Sequence, residues 1–205
     1  MSEFKKVIGD IYQLKIPFEE VFTSVFLIKD EDSYTLVDCA TSKEDVTNFM
    51  IPALKDIGIA KIDNLVISHW HCDHAGGREE VERAFKGVKV FLEVDYLTKN
   101  LKIYPLKGHT KDSLGVLDTR TKTLISGDGV QFEGLDKYGC TFESQEEYEC
   151  TLQRVKSDEN VENLIFSHDF KPWGKSLIKG FEEKQKCLNI SLRYIRRLKD
   201  ESHSN

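Results

Sequence analysis

Several signals are missing from this sequence, and each absence removes a class of protein. No apolar run approaches the roughly 18 residues of a membrane-spanning helix. The opening Met-Ser-Glu-Phe-Lys-Lys-Val-Ile-Gly-Asp holds no apolar stretch suited to a signal peptide. Positive charge is in deficit: 29 Lys and Arg against 35 Asp and Glu leave a net charge of −6. An acidic chain lacks the broad positive field that grips phosphate backbones, so no nucleic-acid partner is expected. There is no Cys-x-x-Cys pair; the five cysteines, Cys39, Cys72, Cys140, Cys150 and Cys187, are odd in number and scattered. That pattern predicts reduced thiols and a cytoplasmic protein rather than a disulfide framework. No Gly-x-Ser-x-Gly elbow marks a serine hydrolase.

What is present is enough for a packed core. Hydrophobic residues make up 40% of the 205 and charged residues 31%, which excludes wholesale disorder. With four prolines, no repeat and no low-complexity linker, residues 1–205 read as a single domain. The first third reads as strands over 7–16, 21–28 and 34–38. Residues 42–57 follow as a helix, with Ser42 as N-cap and Gly58 beyond its end. A short buried strand, 64–68, runs straight into His69, and a second helix covers about 78–85. Strands are predicted at 88–92, 101–106, 114–118 and 123–126. A helix near 144–156 precedes a strand at 163–167, and a long amphipathic helix begins at about Lys175. This mixture fits two sheets covered by helices.

The chemistry sits in Ser68-His69-Trp70-His71-Cys72-Asp73-His74-Ala75-Gly76-Gly77. Two histidines two apart at a strand's end point the same way while the chain stays extended. Asp73 and His74 follow in the turn, and Gly76-Gly77 is expected to let the backbone fold tightly before the next helix. One loop thus presents three imidazoles and a carboxylate, a donor set suited to zinc, iron or manganese. Three more potential ligands stand just after predicted strands or in glycine-containing turns: His109, Asp128 and His168. Seven ligands exceed the four around one tetrahedral ion and suit two ions sharing a carboxylate. Alone, His109 or His168 reads as an ordinary hydrogen-bonded histidine, and His203, in a polar tail, reads as surface. Cys72 is expected to be a packed thiol and Trp70 a packing or pocket-wall residue.

The His-x-His-x-Asp-His motif with its three downstream partners resembles the metallo-β-lactamase superfamily, in particular its hydroxyacylglutathione-hydrolase-like (glyoxalase II-like) branch. The resemblance implies an α/β fold: an αββα four-layer sandwich of two mixed β-sheets flanked by helices, with a dinuclear metal site at one edge. It implies that His69, His71 and His109 hold one metal, that Asp73, His74 and His168 hold the other, and that Asp128 bridges them. Asp38 matches the family's buried aspartate, which orients the ligand loop from behind. The implied cofactors are two divalent metal ions, zinc foremost, with iron or manganese as alternatives.

The implied activity is metal-dependent hydrolysis. A metal-bridging hydroxide would attack an ester, thioester, lactone or phosphoester of a small molecule, with Asp73 as the catalytic residue that orients it. Asp rather than Cys at position 128 disfavours the antibiotic-degrading zinc β-lactamases. His rather than Glu at 71 disfavours the flavodiiron oxygen reductases. The rival enzyme is a mononuclear iron oxidoreductase of the persulfide dioxygenase type, and the rival non-enzyme is a silent sensor. The expected partners are a small-molecule substrate and, at most, a second copy of the chain as a homodimer; no membrane partner is expected. Segments 17–24, 130–142 and 169–174, with Phe18, Phe22, Phe132, Tyr138, Phe142 and Trp173, are the expected pocket loops.

Overall fold

The computed structural model describes residues 3–18, 21–95, 97–131, 141–168 and 176–202, the last four of these by backbone only. The chain forms two compact units, residues 1–103 and 104–205.

The first unit carries a six-stranded sheet ordered β1-β2-β3-β4-β5-β6. Its strands are β1 (Lys5–Ile8), β2 (Ile11–Phe18), β3 (Val21–Asp30), β4 (Ser33–Val37), β5 (Asn64–Val66) and β6 (Lys89–Phe91). The first four pair antiparallel, and β4, β5 and β6 run parallel. The single strand expected over 7–16 is two, because Gly9 takes φ +54° and turns the chain between Ile8 and Ile11. The expected pocket segment 17–24 is largely strand: Pro17 and Phe18 end β2 and pair with Phe22 and Val21 of β3.

Parallel strands need a crossover, and helices supply it. Between β4 and β5 run α1 (Lys43–Asp45), a π-helical turn (Val46–Met50) and α2 (Ile51–Asp56). Ser42 caps this run by accepting from the Asp45 N–H at 3.2 Å, and the Asp45 carboxylate accepts in return from the Thr41 N–H at 3.2 Å. The wide turn, with the Ile51 N–H reaching back to Val46 O, stands just ahead of Pro52, which has no N–H to continue the α pattern. Between β5 and β6 lie α3 (Cys72–Ala75), where only a turn was expected, and α4 (Arg78–Ala84). Leu14, Ile16, Val25, Leu27, Leu36 and Leu65 pack against Val46, Met50, Leu54 and Val81 as this unit's core.

The second unit carries a five-stranded sheet ordered β11-β10-β9-β8-β7. The strands are β7 (Leu101–Pro105), β8 (Leu114–Asp118), β9 (Thr123–Ile125), β10 (Asn163–Ile165) and β11 (Leu177–Ile178). β9 and β10 run parallel around the crossover helix α5 (Gln145–Ser157), and the flanking pairs β8–β9 and β10–β11 are antiparallel. The last helix, α6 (Phe181–Ser202), begins later than its periodicity suggests. Leu177 and Ile178 pair with β10 instead, and Gly180 at φ +91° turns the chain into the helix. Phe181, at the start of this helix, is exposed. Tyr148, Leu152 and Val155 of α5 and Leu188, Leu192 and Ile195 of α6 cover Leu124 and Leu164 in the second core.

Candidate metal centre

In the first unit the ligand loop leaves the C-terminal end of β5, where neighbouring parallel strands hold the backbone in place. His71 is still extended (φ −66°, ψ 148°) and serves as N-cap of α3. His69 and His71 therefore face the same way: their rings lie 4.5 Å apart, and His69 Nε2 is 2.9 Å from His71 Nδ1. Asp73 and His74 stand in the first turn of α3, with Asp73 Oδ2 3.3 Å from His74 Nε2. The His69 and His74 rings are 4.1 Å apart. His69, Asp73 and His74 are buried; His71 is exposed.

A shell of buried groups fixes this loop from behind. Asp38 Oδ1 accepts from the Ser68 N–H at 2.7 Å, and Oδ2 accepts from Ser68 Oγ at 2.9 Å and lies 2.8 Å from His74 Nδ1. The Cys39 N–H and thiol both donate to His74 O, at 2.8 and 3.2 Å. Burial first, and then the Asp38 charge, push the Cys39 thiol far above its ordinary range, so it stays a donor. Thr23 Oγ1 donates to Asp73 O at 2.9 Å. Asp38 and Ala40 hold left-handed backbone (φ +64° and +63°), a cost accepted where the chain must fold under the ligand loop. Gly76 and Gly77 have ordinary negative φ. Their role is close approach: a Cβ at Gly76 would strike Thr41 O, and one at Gly77 would strike Cys39 O.

In the second unit three candidate ligands arrive on three separate strand ends. His109 follows β7, and its Nδ1 lies 2.7 Å from Thr141 O, which leaves Nε2 to point 3.8 Å from Asp128 Oδ2. Asp128 follows β9 in a turn closed by the Gly129 N–H on Ser126 O at 2.9 Å. His168 follows β10, with Nε2 3.4 Å from Asp128 Oδ1. All three are buried. Asp128 thus offers one oxygen to each of two imidazoles. Helix α5 steadies the His109 turn: Thr151 Oγ1 donates to Lys107 O at 2.7 Å, and Gly108 lies against the Tyr148 backbone too closely for a Cβ.

These donors fit a divalent metal. Two N or O ligands at 2.0–2.2 Å from one ion, at a tetrahedral angle, sit about 3.4 Å apart. The pairs within each unit, at 2.9, 3.3, 3.4 and 3.8 Å, bracket that figure. Imidazole and carboxylate without thiolate suit zinc, iron and manganese alike.

A profile of the Metallo-beta-lactamase superfamily matches residues 19–97, the stretch that contains the ligand loop. Over that stretch, which is less than half of its length, the chain is similar to the metallo-β-lactamase superfamily. Among its curated relatives, Hydroxyacylglutathione hydrolase 1 of Vibrio vulnificus (strain YJ016) is 20% identical over 163 residues, covering 71% of this chain and 62% of the relative. The Beta-lactamase-like protein 2 homolog of Caenorhabditis elegans is 29% identical over 143 residues, covering 58% and 48%. The chain therefore spans between about half and three-fifths of the length of these relatives. Its fold is the metallo-β-lactamase fold. A crystallised metallo-β-lactamase of Pseudomonas aeruginosa, in its mono-zinc form, superposes with a TM-score of 0.75 at 16% identity over 96% of both chains.

Ser68, Cys39, Thr23 and Thr141, which hold the ligands, escaped the sequence reading. Ser68 adjoins His69 and was within reach; no local pattern marks the other three. Cys72 is a correction: at the first residue of α3 it is exposed, not packed. Trp70 is half-exposed, with the Arg78 guanidinium 5.4 Å from its ring. Phe142 stacks on Tyr148 at 6.1 Å and packs against the second core. Phe132, Tyr138, Trp173 and Cys140 lie outside the described residues. Among the described residues no helix is long and apolar enough to cross a membrane.

Proposed function

We propose that the chain is a hydrolase of small esters, thioesters, lactones or phosphoesters that works with two divalent metal ions, zinc foremost. In this reading His69, His71 and His109 hold one ion, Asp73, His74 and His168 hold the other, and Asp128 is shared. The observation that carries it is the division of the Asp128 carboxylate, with Oδ2 toward His109 and Oδ1 toward His168. A ligand of one ion alone has no need to face two imidazoles with two oxygens. Ions bound by such donors supply an acidified water as nucleophile at neutral pH and polarise the scissile carbonyl or phosphoryl oxygen. The protein's own part falls to Asp73. Its buried carboxylate, fixed through Thr23 at its backbone and placed beside His74, orients the attacking water and takes its proton at the carboxylate oxygen.

The test joins metal analysis to turnover. Protein purified without added metal should carry two divalent ions per chain and hydrolyse members of a panel of chromogenic esters, thioesters, lactones and phosphodiesters, with loss of activity to a chelator. Asp128→Ala should lose tight binding of both ions. Asp73→Asn, saturated with metal, should fall by about 10²–10⁴ in rate. One iron per chain with no hydrolysis would replace this reading with the oxidoreductase, and an Asp128→Ala variant that kept both ions would end the shared-ligand assignment.

A further inference from the structure

We propose that Ser68 is a positioning residue that fixes the tautomer of His69 by relaying the charge of Asp38. The proposal rests on the reading of His69 as a metal ligand, but what it states about the ring can be measured with no metal present.

Ser68, Asp38, His69 and His74 are all buried, at 1%, 0%, 1% and 0% exposure, so their polar atoms must satisfy one another. A carboxylate only accepts, whereas a serine hydroxyl has one proton to give and lone pairs to receive. Ser68 Oγ lies 2.9 Å from Asp38 Oδ2 and 3.1 Å from His69 Nδ1. If its proton went to His69, two oxygens would face each other at 2.9 Å with no hydrogen between them. The hydroxyl therefore donates to Asp38, and its lone pair receives the His69 Nδ1–H. His74 needs no relay, because its Nδ1 lies 2.8 Å from the same Asp38 Oδ2 and donates to it directly, whereas Ser68 Oγ, at 3.4 Å from that nitrogen, lies beyond the usual N–H···O range.

One carboxylate oxygen thus sets two rings by two routes, directly for His74 and through Ser68 for His69. Both rings carry their proton on Nδ1 and present Nε2. For His69 that nitrogen faces His71 Nδ1 at 2.9 Å, and for His74 it faces Asp73 Oδ2 at 3.3 Å. The two routes can be cut separately. Removing the Ser68 hydroxyl breaks one, and removing the Asp38 charge breaks both.

The experiment uses metal-free protein with ¹⁵N-labelled histidine, whose long-range ¹H–¹⁵N correlations read each ring's tautomer, followed by titration with zinc. In the unaltered protein His69 and His74 should both carry the proton on Nδ1. In Ser68→Ala the His69 signals should move toward a mixture of tautomers while those of His74 stay. Zinc affinity should fall by about 10–100-fold at one site and hold at the other. Ser68→Thr, which keeps the hydroxyl, should restore both readings.

A His69 proton found on Nε2 in the unaltered protein would overturn the proposal. So would His69 signals indifferent to Ser68→Ala, or an equal loss at both zinc sites. If Ser68→Ala does not fold, the unaltered spectrum and Ser68→Thr still decide. A protein that binds no second ion or turns over no substrate, yet shows His69 protonated on Nδ1, fails the hydrolase reading and keeps this one.

Discussion

In the first unit four candidate ligands occupy six consecutive positions, His69 to His74, and side chains brace them: Asp38, Ser68, Thr23 and the Cys39 thiol. In the second unit three candidate ligands come from three strand ends. There His109 is braced by a backbone carbonyl, Thr141 O, and its turn by helix α5. A loop braced by side chains can be undone one substitution at a time. A ligand braced by backbone is insensitive to the identity of the bracing residue, and its integrity depends on whether the surrounding helix and strands stay packed.

The largest effect should come where the first unit's bracing leaves no room. A Cβ at Gly77 meets Cys39 O and the Val46 side chain, and at Gly76 it meets Thr41 O and Cys72 O. Backbone atoms cannot step aside as a flexible side chain can. Gly77→Ala should cost at least about 3 kcal/mol, near the upper end for overpacking, read by denaturant unfolding. A loss under about 1 kcal/mol would mean that the 38–41 segment can retreat, and that the ligand loop is less rigidly backed than the contacts indicate.

An intermediate effect tests how firmly α5 anchors the second unit. The Tyr104 hydroxyl, on β7, donates to Asp158 Oδ2 at 3.0 Å just past the end of α5. Burial, and then the Asp158 charge, push Tyr104 up to about 12 from 10.0. The folded state therefore holds this proton after the unfolded chain has lost it. The contribution is intact below pH 10 and is lost as pH rises toward about 12. Cys187, pushed up to about 12 from 9.0 by burial, adds a slope of the same sign from lower pH. Unfolding free energy should thus fall across this alkaline window, and Tyr104→Phe should flatten only the part above pH 10. Identical slopes for variant and parent would mean that the Tyr104–Asp158 bond does not tie β7 to the end of α5.

The same contrast explains what was legible in the sequence. The ligand loop reads directly because its donors are contiguous and sit where a strand ends, so spacing alone puts His69 and His71 on one side. His109, Asp128 and His168 carry no local signal, and only their order after the loop made them candidates. Most strands and helices were visible in their periodicity. Failures came where one residue overrides it: Gly9 splits a strand, and Gly180 detaches Leu177 from the helix whose spacing it matches. For Gly76 and Gly77 the expected freedom of φ proves to be clearance, which depends on Thr41 and Cys39, far back in the sequence. Thr23 and Thr141 act through partners distant in sequence, and nothing beside them announces it.

The smallest effect is expected at Thr141, and its smallness is the informative result. His109 Nδ1 lies 2.7 Å from Thr141 O and 3.4 Å from Thr141 Oγ1. The first is a short, well-formed hydrogen-bond distance; the second lies beyond the usual range for N–H···O. Thr141→Ala keeps the carbonyl and removes only the hydroxyl. It should leave zinc affinity within about threefold of the parent, whereas losing a bracing group that matters typically costs about 10–100-fold. The measurement is the same zinc titration used for Ser68→Ala, which sets the two bracing schemes side by side. A tenfold loss at Thr141, equivalent to about 1.4 kcal/mol or one full hydrogen bond, would put the hydroxyl in charge of His109. The second unit would then be braced by side chains, as the first is.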